Sequence, residues 1–196
     1  MKKIGVTGGV GCGKSEVLAY LEEAYGAAVL RTDEISRDLM EPGGDCHDDI
    51  LALFGPEYVL ENGSFDRLKI SERVFREPVL LDRLNAILHP ATISRTLLLE
   101  EEAEKNGCPV VCVESALVRV MKEKGNETYD ELWYVYADEA VRRQRLKKSR
   151  GYTDQKIDSI MANQPPEHEF REACDAVIDN SGSFAETRRQ IDLLLQ

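Results

Sequence analysis

A chain of 196 residues that is 42% hydrophobic and 31% charged is long enough to bury one α/β core with small insertions. Its formal net charge of −11 argues against a general nucleic-acid binder, whose surface is basic. No apolar run approaches the roughly 20 residues that a membrane span needs.

The chain begins Met1-Lys2-Lys3-Ile4 and enters its first predicted strand, residues 4–7, without the small-residue cleavage site of a signal peptide. A cytoplasmic location is expected. Residues 8–15 read Gly-Gly-Val-Gly-Cys-Gly-Lys-Ser and fit the phosphate-binding pattern through Gly8, Gly13, Lys14 and Ser15. The glycines, Gly9 and Gly11 among them, let the backbone curl until successive N–H groups point at one anion. Lys14 adds a point charge near the β- and γ-phosphates of a nucleoside triphosphate, and the Ser15 hydroxyl can ligate Mg2+. The helix predicted over residues 16–25, with Val17, Leu18 and Leu21 on one face, aims its positive dipole end at the same phosphates. Strand, loop and helix in that order are the context the motif requires. Cys12 sits among these amides. A thiol at a helix N-terminus is expected to ionise readily and to be open to alkylation; the alternative is a small residue that fits the loop.

A second strand over residues 27–30 precedes Asp33. That residue stands where sites form at the carboxyl edge of α/β sheets, or it caps a helix starting at Glu34. Arg37 follows one helical turn later, facing the same place or forming an i,i+4 ion pair. From 35 to 104 the chain is mostly helical with no convincing central strand, which reads as an inserted helical subdomain. Glu41-Pro42-Gly43-Gly44 and Asn62-Gly63-Ser64 mark turns in it, and His89-Pro90 is expected to interrupt a helix. On these grounds alone His89 is a capping or core histidine.

Strands are predicted over 110–113, 132–136 and 176–178, with helical patterns between, giving an α/β fold with a mostly parallel five-stranded sheet. Cys108 and Cys112 flank the third strand. Four residues of strand span roughly 13 Å, too far for two thiolates to share a zinc. The five cysteines are scattered and odd in number, which argues against a disulfide framework, and Cys108 and Cys112 read as core thiols. Between 142 and 150 six of nine residues are basic, a solvated helical face or, in so acidic a chain, a polyanion site. Two helices joined at Gly151-Tyr152-Thr153 run to about Gln164, and an amphipathic helix over 183–195 ends the chain. Asn180 falls in a turn, Asn-Ser-Gly, after the last strand.

Specific elements recur in a particular order: Arg31-Thr32-Asp33-Glu34-Ile35, Glu41-Pro42-Gly43-Gly44, Gly63-Ser64-Phe65-Asp66-Arg67, Leu88-His89-Pro90, Gln144-Arg145-Leu146, Gln164, and Asp175-Ala176-Val177-Ile178-Asp179-Asn180-Ser181-Gly182. In order and spacing, over essentially the whole chain, this resembles the dephospho-CoA kinase family. The resemblance implies a three-layer P-loop fold in a single domain over 1–196. The core covers about 1–34, 105–138 and 174–196, a helical substrate subdomain about 35–104, and a helical lid about 139–173. It implies transfer of the γ-phosphoryl of ATP, with Mg2+, to the 3′-hydroxyl of the ribose of dephospho-CoA. Asp33 then orients and deprotonates that hydroxyl, with Arg37, His89 and Gln164 on the substrate side. Lys14 and Arg145 serve the transferring phosphoryl. Residues 9, 11–16 of the loop, Arg142, Arg145 and Arg150 of the lid, and Asn180 hold ATP, with the backbone or amide of Asn180 placed to meet adenine. A monomer is expected.

Two departures from the family stand out. The loop ends Ser15-Glu16 where the family has Ser-Thr, keeping the residue-16 N–H for the α-phosphate and losing a hydroxyl. After the third strand the chain reads Val113-Glu114-Ser115-Ala116-Leu117-Val118-Arg119 in place of Asp-x-Pro-Leu-Leu-x-Glu, leaving Glu114 as a candidate acid near Mg2+. A nucleoside or nucleotide kinase shares the loop, the strand-end Asp and the arginine-rich lid. A GTP-dependent switch needs an Asn-Lys-x-Asp guanine reader, which this chain lacks.

Overall fold

A computed structural model describes residues 1–115 and 129–196; the departing run at 116–119 lies outside the described residues. Strands β1 (Lys2–Thr7), β2 (Ala28–Arg31), β3 (Val110–Glu114), β4 (Glu131–Tyr136) and β5 (Ala176–Asp179) form one sheet in the order β2-β3-β1-β4-β5. β1 pairs parallel with β3 and β4, Ile4 standing opposite Cys112 and Glu131, and β4 pairs parallel with β5. The three inner strands are those with unbroken apolar runs, as a strand covered on both faces requires. Their central residues are buried, whereas β2 and β5 at the edges are only partly so.

Two compact units are present, residues 1–29 with 103–196, and residues 30–102. In the first, α1 (Lys14–Tyr25) and α9 (Phe184–Leu194) bury Val17, Leu18, Leu21 and Ile191 against Ile4, Val6, Trp133, Val135 and Ile178. Leu18 is 0% exposed, so Leu18→Ala should cost about 2–5 kcal/mol of stability by cavity formation, read from the urea midpoint. The helices are joined by a polar clamp. Asp192 accepts from the hydroxyls of Tyr20 (2.7 Å) and Tyr25 (2.6 Å). The bonds from Tyr25 and then Tyr20 hold its carboxyl below the usual range. A depressed carboxyl contributes stability above its unfolded value, about pH 4, that is lost as pH falls through the lower folded value. Asp192→Asn should therefore melt earlier at neutral pH and show a shallower acid loss than the parent; parallel curves would exclude the clamp.

The second unit contains α2 (Thr32–Met40), α3 (His47–Phe54), α4 (Arg67–Arg76) and most of α5 (Pro78–Lys105). Ile35, Leu39, Ile50, Phe54, Phe65, Ile70, Leu84 and Leu88 form its own core. Pro90 does not interrupt a helix as the sequence led one to expect: α5 runs through it. Pro90 and Ala86 both lie on the exposed face. The Ala86 carbonyl that loses its N–H partner therefore faces solvent, where hydration limits the cost. The capping alternative for Asp33 also fails, because α2 starts at Thr32 with Arg31 as its cap. Asp33 lies in the first turn, near the positive end of the helix.

Beyond β4 come α6 (Glu139–Arg150), α7 (Asp154–Ala162) and α8 (Glu167–Ala173), the first two joined at 151–153 as expected. The short α8 was not legible in the sequence. Seven residues after Pro165-Pro166 carry little periodicity, and a tertiary contact anchors them: Phe170 stacks on Tyr134 of β4, ring centroids 4.9 Å apart and planes 6° apart.

Candidate active site

The loop between β1 and α1 needs glycine for two different reasons. Gly13 has φ +91°, and a Cβ there would lie 2.2 Å from the Asn180 amide nitrogen. Gly9 makes room for a side chain instead, since its Cβ would meet the Arg142 guanidinium at 2.5 Å.

Cations hold every second carbonyl of this loop. Lys14 Nζ donates to the Gly8 carbonyl at 2.7 Å. Arg142 Nε donates to the Val10 carbonyl at 2.9 Å. Arg145 Nη1 donates to the Cys12 carbonyl at 3.1 Å and its Nη2 to the Asn180 carbonyl at 2.9 Å. In a trans peptide the next N–H points opposite to the carbonyl. Pinning the carbonyls of Gly8, Val10 and Cys12 therefore aims the N–H groups of Gly9, Gly11 and Gly13 to the other side. The N–H groups of Gly11, Gly13, Lys14 and Ser15 meet no acceptor among the described residues. Donors converging at a helix start are what a phosphate accepts from.

Four residues singled out from the sequence, Arg142, Arg145, Gln164 and Asn180, come together on this loop. Gln164 Oε1 accepts from the Val10 N–H at 3.2 Å and from Arg142 Nη2 at 2.7 Å, so it lies against the loop itself. Helical phase divides the basic run. Arg142 and Arg145 face the loop, while Arg143 pairs with Glu139 (2.7 Å) and Lys147 with Asp154 (2.7 Å). Arg143 also reaches Asp158 of α7, so one helix face holds α7 and the other serves the loop. Arg150 ends α6, its guanidinium 5.9 Å from the Tyr152 ring.

Several expectations change. The Cys12 thiol is 1% exposed and packs in the core with Ile4 and Val17, so the reactive reading gives way to that of a small residue filling the loop. The loop uses the Cys12 backbone. The N–H of Glu16 donates to the Gly13 carbonyl at 3.1 Å, which gives that donor an acceptor inside the loop. The Asn180 amide, 1% exposed, turns to the loop rather than outward to a base. Glu114, at the end of β3, has a carboxylate oxygen 3.9 Å from Lys14 Nζ. Burial pushes the Tyr134 hydroxyl up to about 12, so it stays neutral beside Arg142 and Cys12. Asp33 and Arg37 lie exposed on α2 with no ion pair joining them among the described residues, and His89 is exposed on α5.

A phosphate loop at the end of a buried parallel strand, with arginines supplied by a later helix, defines a P-loop kinase. The sequence model of the dephospho-CoA kinases (CoaE) matches residues 2–186. The chain is 34% identical over 194 residues to the dephospho-CoA kinase of Geobacillus kaustophilus, covering 98% of this chain and 94% of that one. It is 39% identical over 183 residues to the enzyme of Bordetella pertussis, covering 93% and 83%. Among solved structures, a Thermus thermophilus protein superposes with a TM-score of 0.80 at 31% identity, over 99% of this chain and 96% of that one. The dephospho-CoA kinase of Campylobacter jejuni, 18% identical over 100% and 96%, shares the fold with a TM-score of 0.67. The chain belongs to the dephospho-CoA kinase family, whose activity is ATP-dependent phosphorylation of dephospho-CoA, the last step of coenzyme A synthesis.

Proposed function

We propose that this site transfers the γ-phosphoryl of ATP to the ribose 3′-hydroxyl of dephospho-CoA, with the roles divided as follows. The observation that carries the reading is the loop whose carbonyls are held by Lys14, Arg142 and Arg145, leaving its N–H groups for the phosphates. Lys14 leaves the Gly8 carbonyl for the β- and γ-oxygens. Arg142 and Arg145, on a helical lid over about 139–173, likewise exchange their loop carbonyls for phosphate oxygens, neutralise charge that spreads over the equatorial oxygens in the transition state and help exclude water. Gln164 orients Arg142. Asp33, in the first turn of α2, takes the proton of the acceptor hydroxyl. Arg37 and His89, carried by the helical subdomain of about 35–104, contact the acceptor, and Arg150 reaches ATP when the lid closes.

The Ser15 hydroxyl and the Glu114 carboxylate are hard oxygen donors suited to Mg2+. Two protein donors are what an ion keeping water and phosphate oxygens needs; no cluster of three or more His, Cys, Asp or Glu exists among the described residues. Held there by Ser15 and Glu114, Mg2+ would supply positive charge to the phosphates. The five free thiols fit a reducing cytoplasm.

ADP release from Mg-ATP, measured with dephospho-CoA and separately with adenosine, AMP and CMP, tests the reading. Release that depends on dephospho-CoA and yields a 3′-phosphorylated product is expected. Release with a nucleoside or nucleotide alone would replace the acceptor and keep the kinase. Arg145→Ala should raise the KM for ATP and lower kcat, each by about tenfold, as a charge-assisted bidentate contact is lost; unchanged values would remove it from the site.

A further inference from the structure

Thr187 belongs to no motif, lies in the C-terminal helix and is 0% exposed. Its hydroxyl donates to Asn180 Oδ1 at 2.9 Å, its other oxygen contacts lying at 3.5 Å. Asn180 Nδ2 in turn donates to the Cys12 carbonyl at 2.9 Å. The Cys12 carbonyl can only accept, so it requires the NH2 end of the amide; the Thr187 hydroxyl, which can donate or accept, meets the oxygen end by donating. With Thr187 donating, the oxygen faces α9 and the nitrogen faces the loop. Turned over, the amide would set its oxygen against the Cys12 carbonyl, two acceptors in contact; unturned but without the Thr187 hydroxyl, its buried oxygen would lose its donor from α9.

We infer that Thr187 is a positioning residue for nucleotide binding: through the Asn180 amide it fixes the Cys12 peptide and so aims the Gly13 N–H at the phosphates. The chain of contacts has a second support. Asn180 is held at its own backbone, its N–H donating to the Tyr136 carbonyl at 2.8 Å and its carbonyl accepting from Arg145. The side chain is therefore a short arm from β5 to the loop, its nitrogen end held by the Cys12 carbonyl and its oxygen end by the Thr187 hydroxyl. Gly13 completes the arrangement, because any Cβ there would occupy the place of the amide nitrogen. The inference rests on the loop binding the phosphates of ATP, and it concerns that binding rather than the acceptor.

The test compares Thr187→Val, which keeps the shape and removes the donor, with Thr187→Ser, which keeps the donor. Calorimetric affinity for Mg-ATP, KM for ATP and for dephospho-CoA, kcat and the melting temperature are measured for each, and for both substitutions in an Asn180→Ala background. Thr187→Val is expected to weaken Mg-ATP about tenfold with the KM for dephospho-CoA unchanged, and Thr187→Ser to restore most of the affinity. In the Asn180→Ala background Thr187→Val should weaken ATP no further, because the two residues act as one unit. Equal loss of melting temperature in both variants with unchanged ATP affinity would overturn the inference, as would an additive loss in the double variant. Calorimetry needs no acceptor, so the outcome is readable even if the wild-type chain binds ATP and fails to phosphorylate dephospho-CoA, the result that would sink the functional reading instead.

Discussion

Replacing Lys14 with alanine should lower kcat by about 10²–10³-fold, the cost of removing one preorganised charge from a developing oxyanion. In the structure the ammonium folds back on the Gly8 carbonyl and stands 3.9 Å from Glu114, one fifth exposed. Those partners hold the charge at the loop before phosphate arrives, so little rearrangement is needed when it does. The loop backbone is kept in shape by other bonds, with Asn180 and Gln164, so the alanine variant should still bind the nucleotide base and sugar. The measurement is single-turnover phosphoryl transfer alongside nucleotide affinity and the melting temperature. A loss confined to melting temperature would make Lys14 a structural cation, and turnover within a few-fold of the parent would reject the role outright.

Asp33→Asn should lower kcat by about 10²–10⁴-fold, the usual range for loss of a general base, with Mg-ATP affinity unchanged. The substitution keeps the size of the side chain. Asp33 is exposed in the first turn of α2, with Arg31 rather than Asp33 as the helix cap. The amide therefore gives up only the favourable interaction of a negative charge with the helix start, about 0.3–1 kcal/mol, and the helix should persist. Because Asp33 and the phosphate loop belong to different parts of the reaction, the effect should fall on acceptor chemistry. Full activity in Asp33→Asn would leave the reaction without this base; weakened ATP binding with normal kcat would make it a nucleotide contact.

Much of this was legible in the chain. Val110-Val111-Cys112-Val113 and Leu132-Trp133-Tyr134-Val135 are unbroken apolar runs, and such runs occur where a parallel strand is covered on both faces; both proved central. The phosphate loop is recognisable because its chemistry tolerates few residues at each position. Where the sequence reading departed from the structure, it did so at positions whose meaning depends on distant neighbours. Pro90 reads as a break by local rules, but its effect depends on whether the freed carbonyl meets water, and the exposed face of α5 provides that. Cys12 reads as reactive from its place in a loop, but reactivity needs exposure, and the thiol points into the core. Helix α8 has too few residues to show a period, and it forms where Phe170 finds the Tyr134 ring. The fate of each basic residue between 142 and 150 was hidden for a related reason: composition shows a charged run, whereas only the packing of α6 shows which members face the loop.

The sequence by itself determined the ligand class, the α/β architecture and the family, because each is carried by local patterns: a glycine-rich loop with Lys14 and Ser15, apolar strands alternating with helical segments, and short motifs in fixed order. Only the tertiary structure decided how the loop is held. Asn180 and Thr187 are separated from Cys12 by more than 160 residues of chain, yet their hydrogen bonds set the direction of a single peptide plane. A hydrogen bond acts over about 3 Å and is blind to sequence separation, so no pattern along the chain records it.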